Sequence, residues 1–328
     1  MSVIAVTGAD GFVGRAVCGA LAARGHEARP LSRDRTCAEH FSSFGLETAA
    51  PLIVGDVDAT TDWRAALADV DAVIHLAARV HVMRETAADP LAAFRAVNTA
   101  GTAKLAEAAA ASGVGRVVLI STIKVNGERT DGRAPFGPDD VPAPEDPYAL
   151  SKFEAEQALR EVADRTALEA VAVRPPLVHG PGVGGNLLRL MRWVERGIPL
   201  PLAGIDNRRS LIGVDNLADV LVACAVQAEA AGRVFTVSDG EDLSTAGLVA
   251  EIAAGLGRPA RLFRFPLGAA ARVLRLAGRG AALGRLADSL AVDDRAVRRI
   301  LDWTPPLSAR EGLRKMTRWY GANTIEEV

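Results

Sequence analysis

Two tyrosines occur in the chain, and one of them, Tyr148, stands four residues before Lys152 in Asp146-Pro147-Tyr148-Ala149-Leu150-Ser151-Lys152. Four residues is one turn of helix, so the two side chains share a face. Asp146 is suited to an N-cap and Pro147 to the first helical position, which puts the pair at a helix start. An ammonium beside a phenol favours the phenolate and lowers its pKa, and such a phenol exchanges a proton near neutral pH. The same spacing also occurs as an ordinary surface pair. Upstream, Leu119-Ile120-Ser121-Thr122 ends on hydroxyls. Read as a strand, it leaves Thr122 at the carboxyl end, within reach of the same substrate oxygen as Tyr148, unless it only caps its own turn.

A second constellation opens the chain. Val3-Ile4-Ala5-Val6-Thr7 leads into Gly8-Ala9-Asp10-Gly11-Phe12-Val13-Gly14, a G-x-x-G-x-x-G run between an apolar strand and a helical pattern. Gly8 permits the tight turn, Gly11 admits backbone N–H groups to a pyrophosphate, and Gly14 lets helix and strand pack closely. The helix start adds the positive end of its dipole. Twenty residues on, the second strand ends Leu31-Ser32-Arg33-Asp34-Arg35. An acidic residue there accepts from a ribose 2′-hydroxyl, whereas Ser32 and Arg33 suit a 2′-phosphate. NADP is therefore favoured, with NAD the outcome if Asp34 takes the ribose. Asp56 and Val57, after a third strand, are expected at the adenine edge.

These residues need a frame. Strands are predicted at residues 3–6, 27–31, 52–54, 72–76, 116–120 and 169–173, and helices at 12–24, 63–67, 92–112 and 148–165. Their alternation predicts an α/β fold, a parallel sheet covered on both faces with right-handed crossovers. After Arg174 the rhythm changes, and the Pro- and Gly-rich residues 175–185 read as a loop leaving the sheet. The division expected is a nucleotide-binding domain over 1–175 and a smaller α/β lobe over 176–328, with a strand near 233–237 able to return to the first domain.

Composition narrows the class. With 49% hydrophobic and 24% charged residues the chain can bury a large core, and a net charge of −2 offers no basis for nucleic-acid binding. Cys18, Cys37 and Cys224 are too widely spaced for a zinc or disulfide framework, which fits a reducing cytoplasm. Residues 266–283 are the most apolar stretch, but arginines and glycines break it, so it reads as an amphipathic surface helix; no integral membrane segment is expected.

Taken together, the chain resembles the extended short-chain dehydrogenase/reductase family of nucleotide-sugar epimerases, dehydratases and reductases. The motifs are Thr7-Gly8-x-x-Gly11-x-x-Gly14, His75-Leu76-Ala77-Ala78, Asn98-Thr99-Ala100-Gly101-Thr102, Ser121-Thr122-x-x-Val125-Asn126-Gly127, Tyr148-x-x-x-Lys152 and Arg174-Pro175-Pro176-x-Val178-His179-Gly180. The resemblance implies a Rossmann doubly wound sheet and a catalytic triad of Thr122, Tyr148 and Lys152. It places Phe12, Val13, Leu76, Ala77, Ala78, Asn98 and Pro175 around the cofactor, together with Tyr148 and Lys152. Asn186 and Arg209 match positions that hold a nucleotide diphosphate, and the paired guanidiniums of Arg208 and Arg209 suit a pyrophosphate. Members with 4,6-dehydratase activity carry acidic residues after the threonine. Ile123 and Lys124 stand there instead, which argues against dehydration. Asn126 and His179 replace tyrosines usual in the family.

Residues 79–83 and 121–128 are similar to a bacterial subgroup that reduces UDP-4-keto-6-deoxy-N-acetylhexosamines, or acts as 4-epimerases, in surface polysaccharide synthesis. In that subgroup Arg79, His81 and Lys124 would line the sugar pocket. The leading expectation is thus an NADPH-dependent 4-ketoreductase, and the alternative is an NAD-dependent UDP-hexose or UDP-N-acetylhexosamine 4-epimerase. A non-catalytic sensor is disfavoured by the presence of Tyr148 and Lys152. Reduction of a non-nucleotide carbonyl is disfavoured by Asn186 and Arg209. Alanine-rich helices at 92–112 and 148–165 predict a homodimer.

Overall fold

The computed structural model describes residues 1–42, 49–80, 88–264 and 287–324. Its strands are β1 (Val3–Thr7), β2 (Glu27–Ser32), β3 (Leu52–Ile53), β4 (Ala72–His75), β5 (Arg116–Ile120), β6 (Glu169–Arg174), β7 (Leu177–His179), β8 (Arg209–Gly213), β9 (Val234–Thr236) and β10 (Asp242–Leu243). One sheet has the order β3-β2-β1-β4-β5-β6-β9, every neighbour parallel. The chain order reverses between β1 and β4, and it is beyond the carboxyl ends at such a switch point that sheets of this kind take ligands.

Residues of β1, β4 and β5 are buried on both faces, which is why these strands read as continuous apolar runs rather than alternating ones. Alternation reappears as a choice of side. Ile4, Val6, Ile74 and Val118 pack with Val17 and Leu21 of α1 (Phe12–Ala23) and with Leu217 and Leu221 of α7 (Val214–Val226). Ala5, Val73, Val117 and Leu119 face Leu105 and Ala109 of α4 (Gly101–Ala111) and Leu159 and Val162 of α5 (Pro147–Asp164). The remaining helices are α2 (Arg35–Ser42), α3 (Pro90–Phe94), α6 (Gly185–Glu195), α8 (Thr245–Gly255), α9 (Arg295–Leu301) and α10 (Ala309–Thr324).

Three elements differ from expectation. Residues 63–67 make a turn rather than a helix, with one helix-like bond from Leu67 N to Trp63 O at 3.0 Å. Five residues cannot offset the cost of helix nucleation, and the spacing of the buried Trp63 and Leu67 reflects insertion into the core instead. The long helix expected over 92–112 is three pieces: α3, a π-helical stretch Arg95–Ala100, and α4. The wider turn carries Asn98 into the interior, where its amide is fully bonded. Residues 175–185 are not all loop, because Leu177–His179 forms β7 and pairs in parallel with β8. Three residues between Pro176 and Gly180 are too few to give a strand pattern.

β7, β8 and β10 form a second, three-stranded sheet. Between β8 and β10 the chain returns to the large sheet as β9, beside β6. Residues 266–283 lie outside the described residues. Among the described residues no helix is long and apolar enough to cross a membrane.

Candidate active site

The glycine turn is built as its residue types require. Gly8 has φ +65°, and a Cβ there would sit 3.1 Å from Ala77 N. Gly14 faces the Gly8 carbonyl oxygen and Ala9 so closely that any Cβ would collide with them. Gly11 is the N-cap of α1 and makes no side-chain cap, so the first-turn N–H groups of Phe12 and Val13 are not capped by a side chain and, at a helix start, are suited to an anion. At the end of β2 the Ser32 hydroxyl is 1% exposed and has no hydrogen-bond partner. An open helix start beside an orphaned buried hydroxyl fits the phosphate-bearing end of a dinucleotide.

Arg33 is exposed and its Nε donates to Asp34 Oδ2 at 3.1 Å. Asp34 Oδ1 accepts from Cys37 N at 2.9 Å, holding the start of α2, and these bonds keep its carboxyl below the ordinary range. Asp56 is exposed, with Arg33 Nε 4.0 Å from its carboxylate, while Val57 packs against Gly101 of α4.

A polar pin that sequence reading passed over holds the β4 end. Thr7 Oγ1 accepts from Leu76 N and Ala77 N, both at 3.0 Å, and Ala78 follows in the same turn. With both lone pairs used, its proton goes to His75 Nδ1 at 2.7 Å. Burial, and then the Lys152 ammonium, push the His75 pKa down to about 3, so the ring is neutral. The signal was present, since Thr7 and His75 both belong to motifs, but their partnership spans 68 residues.

Thr122, at the end of β5, starts a short 3-10 turn (Ile123–Val125), and its Oγ1 accepts from Lys124 N at 3.3 Å, leaving its own proton to give. Ile123 N donates to Pro175 O at 2.9 Å, tying this turn to the end of β6. Asp146 caps α5 through Ala149 N at 2.7 Å, with Pro147 first in the helix, as the sequence indicates. Tyr148 meets Phe94 edge-on at 6.0 Å between centroids. The expected lowering of its pKa is not met in the chain alone: burial, then Asp146, push it up to about 12. Lys152 is 1% exposed, and burial, partly offset by Glu156, pushes its ammonium down to about 8.

Asn98 joins these parts. Its Oδ1 accepts from Arg79 N at 2.8 Å, and its Nδ2 donates to Arg79 O at 3.0 Å and to Ser151 Oγ at 2.9 Å. Ser151 Oγ in turn donates to Tyr148 O. The loop after β4 is thereby fastened to the tyrosine helix, with the Arg79 guanidinium 5.5 Å over the Phe94 ring. His81 lies outside the described residues.

In the three-stranded sheet, Arg209 begins β8, and its Nη1 donates to Asp288 O at 3.2 Å. Burial pulls its pKa down, while Asp288, Glu128 and Asp131 act the other way. Arg208 does not share that face. It is exposed and pairs with Asp242 at 2.8 Å, because neighbouring strand residues point to opposite sides. The two-guanidinium cluster read from sequence is therefore split. Asn186 is exposed in the first turn of α6 and accepts from Arg189. Lys124, expected in a sugar pocket, has its Nζ bonded to Glu128 and Asp146, each at 2.7 Å.

Asn126 bonds Gly137 O at 2.8 Å and accepts from Arg174 at 3.1 Å. His179 is fully buried against Asp239 at 2.8 Å. Both positions serve the interior.

The family model described as the NAD dependent epimerase/dehydratase family matches residues 4–238. A UDP-glucose 4-epimerase of Vibrio cholerae is 44% identical over 263 residues, covering 80% of each chain. A 2-alkyl-3-oxoalkanoate reductase of Stenotrophomonas maltophilia (strain K279a) is 31% identical over 339 residues, covering 95% of this chain and 98% of its own. Among solved structures, MoeE5 in complex with UDP-glucose and NAD superposes with a TM-score of 0.76 at 25% identity, covering 98% of this chain and 99% of that one.

Proposed function

The chain belongs to the NAD-dependent epimerase/dehydratase family, and from that premise we propose that it is a cytoplasmic, NAD-dependent 4-epimerase of UDP-linked hexoses or N-acetylhexosamines. What supports the reading is the pairing of a threonine turn at the end of β5 with Tyr148 in the first turn of α5, in a chain so similar to a relative named for C4 epimerisation of UDP-glucose.

When bound, the nicotinamide ring supplies a reversible two-electron acceptor and, in its oxidised form, a positive charge. Gly8, Gly11 and Gly14 with the Phe12 and Val13 N–H groups hold its pyrophosphate, Ser32, Asp34, Asp56 and Val57 border its adenosine, and Leu76, Ala77, Ala78, Asn98 and Pro175 frame its inner half. Lys152 donates to the ribose hydroxyls beside it. Asn186 and Arg209 take the diphosphate of the sugar nucleotide, and Arg79 and His81 approach the sugar ring. Thr122 donates to the C4 oxygen. Tyr148, as phenolate, takes the C4 hydroxyl proton as the alcohol becomes a ketone, then returns it as the opposite alcohol forms. Its own surroundings favour the phenol, so a cationic neighbour must assist the first step. A second copy docks through α4 and α5 as a homodimer.

One observation favours a second reading. The unpartnered Ser32 hydroxyl beside the exposed Arg33 suits a 2′-phosphate, and so NADPH-dependent reduction of a UDP-4-keto-6-deoxy-N-acetylhexosamine. Denaturing the purified protein and identifying the released nucleotide separates the two. Retained NAD supports the epimerase, whereas an empty protein that oxidises NADPH with the keto-sugar supports the reductase.

A further inference from the structure

The threonine turn and the tyrosine helix come from segments more than twenty residues apart, and one side chain joins them. Lys124 belongs to the 3-10 turn that Thr122 begins, and its backbone N–H donates to Thr122 Oγ1. Its Nζ reaches Asp146 Oδ2 at 2.7 Å, while the other oxygen of that carboxylate caps α5 through Ala149 N at 2.7 Å. Glu128 takes a second Nζ proton at 2.7 Å. The ammonium and the Asp146 carboxylate are 21% and 26% exposed, so solvent screens the pair only in part.

We propose that Lys124 is a positioning residue, a charged strut that pins the turn carrying Thr122 to the cap of the helix carrying Tyr148. This rests on the reading of Thr122 and Tyr148 as the groups that face the C4 oxygen.

The strut has an electrostatic consequence. Asp146 opposes ionisation of Tyr148, and an ammonium on that carboxylate offsets part of the opposition. Burial pulls the Lys124 pKa down, but its two carboxylates outweigh that and raise it, so Lys124 stays cationic across the working range of pH. Among the described residues, the other charged or titratable groups on the elements about Tyr148 include Lys152 and Glu156 on its own helix, neutral His75 at the end of β4, Arg79 over Phe94, and Glu128 beyond Lys124. Lys124 is the member of this set bonded directly to the helix cap.

The test compares Lys124→Met, Lys124→Arg and Asp146→Asn with wild type in the C4 interconversion of UDP-glucose across pH. Lys124→Met should lower kcat about tenfold at neutral pH, leave KM within about twofold, and move the acid limb upward by about half a unit or more. Lys124→Arg should restore both, and Asp146→Asn, which keeps a capping side chain, should move the limb downward. A raised KM with unchanged kcat would make Lys124 a sugar contact and overturn the proposal. So would an equal fall of kcat at every pH. A second readout needs no turnover: the chain has two tyrosines, so with 13Cζ-tyrosine labelling Tyr148 is titrated by NMR with Tyr320 as reference. A higher Tyr148 midpoint in Lys124→Met, restored by Lys124→Arg, supports the strut, and an unchanged midpoint overturns it. If the wild type acts on no sugar nucleotide, the functional reading fails by itself and the titration still decides the strut.

Discussion

Tyr148 and Lys152 carry opposite costs in one turn of helix. Burial favours the uncharged form of each, pushing the phenol up to about 12 and the ammonium down to about 8. The folded chain therefore binds fewer protons at Lys152 than the unfolded chain between about 8 and 10.5, so this group's contribution to stability falls as pH drops through 8. Tyr148 has the reverse sign: its contribution is complete below 10 and is lost as pH rises through about 12. At pH 7 the ammonium is a buried charge costing about 1.4 kcal/mol per unit of depression. Lys152→Met should therefore raise the Tm of the cofactor-free protein at pH 7, by up to about 3 kcal/mol of stability, with no gain above pH 10.5, while abolishing turnover. A lower Tm at pH 7 in differential scanning calorimetry would show that Lys152 stabilises the fold instead. The helix start that carries Tyr148 and Lys152 and the glycine turn were legible in the sequence because each depends on local spacing. The tyrosine pKa was not, because burial depends on the whole sheet. The split of Arg208 from Arg209 was not either, because it required knowing that β8 begins there.

At the scale of elements, the site is held by joints between segments distant in the chain. Strand and helix positions followed from apolar runs and caps, and all seven large-sheet strands coincide with runs read in the sequence, the returning β9 with the strand expected near 233–237. The joints had no such periodicity. Thr7 with His75, Asn98 with Arg79 and Ser151, and Lys124 with Asp146 each link residues separated by 19 to 68 positions. Asn98 is the most connected of these, and the π-helical stretch exists where its amide turns inward. Asn98→Ala should cost about 1–3 kcal/mol in urea unfolding, because the Arg79 backbone groups and the Ser151 hydroxyl lose their partner. It should also weaken cofactor retention, since the loop after β4 would be released from α5. Unchanged stability would mean that water replaces the amide without loss.

For the whole molecule, the order of the parallel sheet places the glycine turn, the β4 turn and the threonine turn along one edge, while the three-stranded sheet carries Arg209 at the start of β8, near Glu128 and Asp131. The switch point between β1 and β4 was implicit in the βα alternation, whereas β7 was hidden by the prolines and glycine around it. Glu107 of α4 pairs with Arg165, the C-cap of α5, at 3.0 Å, and α4 is rich in alanine. The proposed homodimer would dock through that surface, and sedimentation velocity at micromolar concentration should then show a dimer. A monomer alone would count against the homodimer.

The most direct test of the proposed chemistry is incubation with UDP-glucose and, separately, UDP-N-acetylglucosamine in D2O, followed by 1H NMR with no added nicotinamide. The expected result is interconversion at C4 of at least one of them, with no deuterium incorporated at C4. That activity should fall by about 100-fold or more in Tyr148→Phe. Absence of interconversion on either sugar, together with stoichiometric oxidation of NADPH by a UDP-4-keto-6-deoxy-N-acetylhexosamine, would contradict the epimerase reading and establish the reductase in its place.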